Sequence, residues 1–367
     1  MHSLTHIIFW VPFATLLTFT RKQRIFWPLL ALGLLLLFNE LFTPGFFDLE
    51  VRDGHLYGTL VDILKHGGQM MLLALGMTLV IATGGVDLSV GAVMAVAGAV
   101  VAQAAVSHQQ SALVAMVFAL AVCTLLGAWN GFLVAGIGIQ PIVATLILMV
   151  AGRGIAQLIT GGQIINFDNP MLVYLANGYS LGLPFTCVLA LVVLGLTYAL
   201  TRGTALGLFI ESVGDNDVAS RYSGVNDRFV KFTVYLFAGF CAGLAGLVAA
   251  SNIKSADANH AGLYAELDAI LAVVVGGTAL AGGRFYLPGS IVGALLIQTL
   301  TTTMYARNVS ADIAPVPKAL VIIAVCLLQS EKARGYFSRV FPRKKSPVAS
   351  EESSGAPAKK LSAGAGL

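Results

Sequence analysis

The sequence predicts an all-α protein, a polytopic transmembrane bundle of about ten helices with both chain ends in the cytoplasm. Three observations predict this fold: 57% of the 367 residues are hydrophobic, only 11% are charged, and long apolar runs recur along most of the chain. A soluble domain carries about 25% charged residues, so this chain lacks the polar surface of a water-facing fold. Its 40 glycines also fit, because helices in lipid pack through small residues.

Ten apolar runs are candidates for membrane spans. A helix needs about 20 apolar residues to cross roughly 30 Å of hydrocarbon. The eighth and tenth runs are short, and we expect these spans to be tilted, broken or partly re-entrant. The predicted spans are residues 25–42, 62–82, 88–106, 112–135, 139–160, 183–200, 231–251, 267–282, 288–306 and 315–330.

Basic residues orient these spans, because Lys and Arg accumulate in cytoplasmic segments. With residues 1–24 placed inside, 16 of the 22 Lys and Arg residues fall on the cytoplasmic side. An even number of spans then places the carboxyl end on the same side. The basic residues that fall outside or within spans are Arg52, Lys65, Arg153, Lys254, Arg307 and Lys318.

The same pattern divides the chain into three parts. Residues 1–24 place an apolar stretch before a basic cluster, the reverse of a signal peptide, so a cytoplasmic or interfacial segment and an initiation codon assigned too early both fit. Residues 25–330 form the predicted transmembrane domain, with a cytoplasmic loop at 201–230. Residues 331–367 lack an apolar period, and we predict a disordered cytoplasmic tail.

Residues that carry catalysis or hold metals do not cluster in the sequence. The four cysteines lie apart within apolar runs, which is typical of small buried side chains rather than of a disulfide framework or a metal site. No phosphate loop of the GxxxxGK type, HExxH or GxSxG motif occurs. We therefore expect no catalytic residue, no metal and no cofactor, and the net charge of +4 gives no reason to expect a nucleic-acid partner.

The cytoplasmic loop contains a predicted short helix over residues 211–224. Asp215 or Asn216 can cap its start, and Gly224 suits a left-handed stop. Such a helix, held parallel to the membrane, is a surface that a soluble partner can grip, although a solvated linker helix explains it too. The candidate contact residues are Glu211, Gly214, Asp217, Val218, Ala219, Arg221, Tyr222 and Gly224.

Two external loops, residues 161–182 and 251–268, are rich in neutral hydrogen-bonding side chains. These suit an uncharged polyol or the rim of an extracytoplasmic partner, and they suit ordinary surface loops almost equally well. The candidate docking residues are Asn166, Asp168, Asp257 and Asn259.

Polar residues inside predicted spans are costly in lipid, so each suggests a function. Asp87 follows a Gly-Gly break and is expected to cap the third span, and Asp268 is expected to do the same for the eighth. Arg153 must pair, reach the interface or face water. No row of carboxylates suited to a proton relay is found. The candidates for a substrate path are Asp87, Asn130, Gln140, Arg153, Gln157 and Asp268.

Three glycine pairs at a spacing of four predict close helix contacts, since two backbones can approach where side chains are missing. They are Gly127 and Gly131, Gly239 and Gly243, and Gly289 and Gly293.

Four motifs carry a resemblance to a known family. Thr83-Gly-Gly-Val-Asp-Leu-Ser-Val-Gly91 resembles the Gly-Gly-Ile-Asp-Leu-Ser-Val-Gly signature of ribose-type permeases of ATP-binding-cassette sugar importers. Gln140-Pro-Ile-Val-Ala-Thr-Leu146, with Arg153-Gly154 behind it, is similar to the same family. So are Glu266-Leu-Asp-Ala-Ile270 and Val275-Gly-Gly-Thr-Ala-Leu-Ala-Gly-Gly-Arg284. The resemblance runs from about residue 60 to residue 330.

Within this family, the stretch Ser255-Ala-Asp-Ala-Asn-His-Ala-Gly-Leu-Tyr264 resembles the galactofuranose branch rather than the ribose branch, as does Asp53-Gly-His-Leu-Tyr57. The resemblance implies a monosaccharide permease of the bacterial inner membrane. It implies a cytoplasmic ATPase of two fused nucleotide-binding domains that holds the 211–224 helix. It further implies a periplasmic sugar-binding protein at the external loops and a second, related permease.

Two other functions are alternatives to this one. A stand-alone secondary carrier or channel would take up sugar without an ATPase. A membrane-embedded enzyme would need a reactive pair of side chains within the spans, and the sequence presents none.

Overall fold

Helices formed from the apolar runs make up most of the protein in the computed structural model, which describes residues 25–52, 55–180, 182–310, 313 and 315–329. These residues belong to one compact unit, Met1–Gln329. The predictions for residues 1–24 and 331–367 concern segments outside the described residues.

Thirteen α-helices occur among the described residues. The helices before the central loop are α1 (Phe26–Phe42), α2 (Thr59–Ala82), α3 (Val90–Ala102), α4 (Ala112–Gly131), α5 (Pro141–Thr160), α6 (Pro170–Asn177) and α7 (Phe185–Gly203). The later helices are α8 (Leu206–Asp215), α9 (Asp217–Tyr222), α10 (Asp227–Ile253), α11 (Ala265–Val275), α12 (Leu287–Ala306) and α13 (Pro315–Gln329). Helices α3 and α4 continue as π-helical turns over Gln103–Ser107 and Phe132–Ile137.

Seven of the helices in the described part are long and apolar enough to cross a membrane: α2, α5, α7, α10, α12, and α3 and α4 with their π-helical turns. Every one of the ten predicted runs overlaps a helix, so the prediction of an all-helical, multi-pass membrane protein is confirmed. The first run forms a shorter apolar helix of 17 residues. The eighth and tenth runs form helices of only 11 and 15 residues.

The prediction that the eighth span extends to residue 282 is wrong, because α11 ends at Val275. The segment that follows is rich in glycine, and three of its glycines, Gly277, Gly282 and Gly283, have φ near +90°. A left-handed backbone of this kind cannot continue an α-helix, and glycine adopts it without steric cost. A similar break at Gly84, with φ +79°, separates α2 from α3.

The core lies around α2, which runs through the centre of the bundle. Most of α2 is buried, at 17 of its 24 residues, and all 13 residues of α3 are buried. Helices α4, α5 and α7 bury only 28–33% and expose Leu and Val side chains, as expected of helices that face lipid. Towards the carboxyl end of α2, Gly76 lies directly against Ala238 and Cys241 of α10.

The three predicted glycine contacts are confirmed. A Cβ atom added at Gly127 would lie 2.8 Å from the Cα atom of Gly239, so α4 and α10 touch backbone to backbone. Gly289 and Gly293 of α12 abut Gly276 and Ala272 at the end of α11. No side chain fits at these positions.

Six short strands join the loops of the described part into three antiparallel pairs. β1 (Glu50–Arg52) pairs with β2 (His55–Tyr57), and β4 (Tyr179–Ser180) pairs with β5 (Leu183–Pro184). β3 (Ile165–Asn166) pairs with β6 (Ser255–Ala256), so two loops far apart in sequence lie side by side.

Candidate functional site

The loop predicted to be cytoplasmic folds into two helices rather than the single predicted helix over 211–224. Helix α8 ends at Asp215, and Asn216 adopts an extended conformation with φ −159° and ψ 104°. The Asn216 side chain accepts a hydrogen bond of 2.9 Å from the Ala219 N–H and so caps α9. The predicted cap at Asn216 and the left-handed stop at Gly224, with φ +87°, are confirmed. The prediction of one continuous helix is wrong, because the cap residue interrupts it.

Charged side chains tie α9 to the start of α10. The Arg221 guanidinium donates to both carboxylate oxygens of Asp227, at 3.0 and 2.8 Å. The Lys231 ammonium donates to Asp217 at 2.9 Å, and this hydrogen bond holds the pKa of the Asp217 carboxyl below its usual value. Two of the candidate contact residues, Asp217 and Arg221, are therefore engaged within the chain.

The outward side of α9 is apolar and open. The Tyr222 side chain is 90% exposed and Val218 is 56% exposed, and Ala219 is exposed beside them. Ser220 is buried on the opposite side, with its hydroxyl 2.6 Å from that of Ser212. The predicted apolar face of Val218, Ala219 and Tyr222 thus points away from the bundle, where a protein partner can cover it.

Gly214 lies at a junction of three segments. A Cβ atom at this position would overlap the carbonyl oxygen of Ala82 and the backbone of Gly283, and the Gly283 N–H donates to the same Ala82 carbonyl at 2.9 Å. Glu211 forms an ion pair of 3.1 Å with Arg202 of α7. These two candidate contact residues join α8 to the ends of α2 and α7, so their observed role is to fix α8 to the bundle.

A cavity of about 700 Å³ lies between α8, α9 and the ends of the membrane helices. It is bordered by the break after α2, by the turn before α5 and by the charged start of α10. Of the candidate substrate-path residues, Gln140 lines this cavity, and Tyr235 lines it close to the break. Asp217, Arg221 and Gly214 line it too, so the junction described above forms part of the cavity wall.

Asp87 and Asn130 meet in a buried polar group near the start of α3. Asp87 is 1% exposed, and one of its oxygens accepts from the Ser89 N–H at 2.9 Å and from the Ser89 hydroxyl at 2.6 Å. The Asn130 amide donates to the Ser89 oxygen at 2.8 Å, and its own oxygen is buried without a partner among the described residues. The prediction that Asp87 caps α3 is wrong, because the cap position belongs to Ser89.

The other candidate path residues lie elsewhere. Arg153 donates to the carbonyl oxygens of Ala258 and Ala261, and Gln157 donates to Asn259 at 2.8 Å. Arg153 was predicted to pair, to reach the interface or to face water, and in the structure it is hydrogen-bonded to these backbone carbonyls. The prediction that Asp268 caps the eighth span is wrong, because its helix begins at Ala265 with Tyr264 as the cap residue. Asp268 instead forms an ion pair of 2.8 Å with Lys318 of α13. The structure therefore does not gather the six candidates into one path.

The candidate docking residues lie close together because β3 and β6 pair. Asn166 is opposite Ser255 in this ladder, and Asp168 accepts from Lys254 at 3.3 Å. Burial alone would raise the pKa of the Asp257 carboxyl. Its hydrogen bonds from the His260 ring and from the backbone of Asn259 and His260 outweigh burial and lower that pKa.

A second cavity, of about 460 Å³, lies between the first turns of α2 and the last turns of α12. None of the residues that line this cavity is among the sequence-predicted site residues, although the spacing of polar residues at 62, 66 and 69 on one helix face was a signal for it. Among the described residues, no group of His, Cys, Asp or Glu could hold a metal ion. The polar residues that line this cavity are Asp62, His66, Gln69, Gln298, Thr302 and Tyr305.

Comparison with known proteins identifies the family to which these motifs belong. A family model described as the permease component of the branched-chain amino acid transport system matches residues 59–328. The galactofuranose transporter permease protein of Escherichia coli is 49% identical over 86% of this chain and 94% of its own length. The fructose import permease protein of Bifidobacterium longum is 40% identical, over 85% of this chain and 89% of its own. The ribose import permease protein of Escherichia coli is 36% identical, over 83% and 93%. No solved structure matches the chain.

Proposed function

Because this chain belongs to that permease-component family, and within it to the ribose-type permeases of ATP-binding-cassette sugar importers, we propose that it carries a monosaccharide across the bacterial inner membrane. Galactofuranose is the sugar that we propose. The observation that carries the proposal is the 49% identity with a galactofuranose transporter permease along nearly the full length of both chains.

The exposed face of α9 supports an ATPase partner. Permeases of this class hold no nucleotide site of their own. In the described part of the chain, the capped helix α9 exposes Tyr222 and Val218 beside the cavity of about 700 Å³, which we place on the cytoplasmic side and call the cytoplasmic cavity. An exposed aromatic anchor next to fixed charges is typical of interface hot spots. We propose that an ATPase of two fused nucleotide-binding domains covers this face and moves it during the ATP cycle. The loop 201–230 is then the coupling segment of the transmembrane domain 25–330.

Contacts between loops support a topology of ten spans with both chain ends in the cytoplasm. Segments predicted to be cytoplasmic touch one another, as in the junction of Gly214 with Ala82 and Gly283. Segments predicted to be external do the same: the His55 and Tyr179 rings stack at 4.4 Å, and β3 pairs with β6. In this arrangement α1, α11 and α13 complete the ten spans and cross the membrane as short, tilted or broken spans.

The paired external loops are the surface on which we propose that a periplasmic sugar-binding protein docks. Asn166, Asp168 and Asn259 are exposed on this surface. We further propose that a second, related permease completes the membrane part of the complex.

A reconstitution tests this function. The chain is placed in liposomes with its ATPase, second permease and binding protein, and uptake of radiolabelled galactofuranose, ribose and fructose is measured. We expect galactofuranose uptake that requires ATP and the binding protein and that persists when a protonophore removes the proton gradient. A stand-alone carrier or channel would instead transport sugar without the ATPase, and a carrier coupled to protons would stop when the protonophore is added.

A further inference from the structure

The cavity between α2 and α12 has two matching polar walls. Along α2 the polar residues Asp62, His66 and Gln69 follow one another at steps of four and three, and along α12 the residues Gln298, Thr302 and Tyr305 follow at the same steps. Residues at this spacing share one face of a helix. Each helix therefore presents a polar stripe, and the two stripes border the same space.

The two helices approach closely beside this cavity. A Cβ atom at Gly67 would lie 3.2 Å from the Leu295 side chain and 3.8 Å from Gln298. This contact holds the two helices together beside the cleft. His66, Gln69, Gln298 and Thr302 are half-buried, so the stripes form walls that a small molecule can reach.

Lipid is not a suitable neighbour for these stripes. Both helices are long and apolar enough to span the membrane, and ionisable or amide side chains facing hydrocarbon cost several kcal/mol. The cleft must therefore face water or another protein. It lies at the end of α2 opposite the cytoplasmic cavity, since α2 borders that cavity only at its other end, after Ala82.

We propose that this cleft binds the sugar in the outer half of the membrane, an inference that rests on the proposed function. The lining offers what a neutral polyhydroxylated ring needs. Gln69 and Gln298 both donate and accept hydrogen bonds, Asp62 accepts them, and the Tyr305 ring offers a flat apolar surface. The volume of about 460 Å³ lies within the range of small-molecule sites. Among the described residues, the lining has an acidic side chain and no Lys or Arg, which disfavours an anionic cargo.

The hydrogen bond that Gln298 makes within the protein can be exchanged for one to a bound sugar. Its amide donates to the Thr302 hydroxyl over 3.4 Å, a long and weak bond. A sugar hydroxyl can replace this partner at little cost. Thr301, the adjacent residue, donates instead to the Ile297 carbonyl of its own helix and does not line the cleft.

Adjacent threonines provide a matched test. Uptake of radiolabelled galactofuranose is measured at saturating binding protein in liposomes that hold the full complex, with Thr302→Val compared against Thr301→Val. We expect the maximal uptake rate to fall about fivefold for Thr302→Val, the factor for one lost hydrogen bond, and to stay unchanged for Thr301→Val. Gln298→Leu should lower the rate further.

The outcomes separate the two proposals. If the unaltered complex imports no sugar, the proposed function fails. If it imports sugar and the two threonine variants transport equally well, the proposed function stands and the cleft assignment is overturned.

Thiol labelling tests whether a second permease covers the cleft instead. A membrane-impermeant thiol reagent is added outside liposomes that carry the complex with Gln298→Cys, and labelling of the unaltered chain is subtracted. We expect labelling that saturating binding protein loaded with galactofuranose slows. Labelling of the isolated chain but not of the assembled complex would overturn the proposal, since the stripes would then form a protein interface.

Discussion

The Arg221 guanidinium and the Asp227 carboxylate are joined by two hydrogen bonds of 3.0 and 2.8 Å, so the end of α9 is bound to the first residue of α10. Paired bonds between an arginine and a carboxylate are stronger than single neutral bonds and fix orientation as well as distance. Lys231 adds a bond to Asp217 at the other end of α9. A displacement of α9 is therefore transmitted to α10, which reaches the core.

Removal of the exposed aromatic anchor of α9 should weaken assembly with the ATPase. Tyr222→Ala is expected to raise the dissociation constant of the permease–ATPase complex tenfold or more, because an aromatic anchor at the centre of an interface contributes about 2 kcal/mol or more. Light-scattering titration or surface plasmon resonance in detergent measures this dissociation constant. The matched control is Tyr198→Ala, where the tyrosine is 51% exposed and belongs to the membrane helix α7 rather than to α9. Equal affinities of the two variants would contradict a partner surface on α9.

A methyl group at Gly214 should destabilise the protein. Gly214→Ala forces atoms into the Ala82 carbonyl, and overpacking of this kind costs about 1–3 kcal/mol. The thermal midpoint of the purified chain, measured by a thiol-independent fluorescence method, should fall. Gly195→Ala in the middle of α7 is the control, because its Cβ atom would meet nothing within 4 Å and alanine favours a helix. A Gly214→Ala midpoint equal to that of Gly195→Ala would be inconsistent with the junction.

The pair of Asp217 and Lys231 should make stability fall in acid. The hydrogen bond from Lys231 lowers the pKa of Asp217 below its ordinary value of 3.8, so the folded state favours the ionised carboxyl. The stabilisation is present above that ordinary value and is lost as pH falls through the lower, folded value. Thermal midpoints measured from neutral pH down to about pH 3 should decline, and Lys231→Met should reduce the decline. An identical pH profile for the variant would refute the assignment.

Removing one member of the ion pair between Asp268 and Lys318 should destabilise the protein more than removing both members. Lys318→Met leaves a mostly buried carboxylate without its partner, and loss of one member of a buried pair costs about 3–5 kcal/mol. The double variant Asp268→Asn, Lys318→Met should recover much of this loss, because no unpaired charge remains. Denaturation of the purified chain in a mild detergent measures the free energy of unfolding of the single and the double variant. A double variant no more stable than Lys318→Met would show that the pair does not act as a unit.

The sequence predicted the helical bundle well, because long apolar runs have no other stable form in lipid. It also predicted the Asn216 cap and the glycine contacts, which depend on residues near in sequence or on glycine itself. It did not predict that Asn216 ends one helix while starting another. Periodicity does not reveal a break when both flanking segments are helical.

The proposed path residues show the limit of reading a span by its polar residues. Arg153 and Asp268 are satisfied by partners more than 45 residues away, Ala258 and Lys318. These partners depend on tertiary packing, and a single sequence does not contain that information. The polar residues at 62, 66 and 69 and those at 298, 302 and 305 could each have been found by their period, but the position of the two sets opposite each other could not.

Helix α2 has a mechanical consequence that follows from its two ends. Its first turns border the polar cleft, the break that follows it borders the cavity of about 700 Å³, and Gly76, between these two places, lies against Ala238 and Cys241 of α10. If α2 tilts as a rigid rod about a contact that lies between its two ends, the tilt widens the space at one end and narrows the space at the other. One rigid helix of 24 residues can thus make the two openings mutually exclusive without any separate gate.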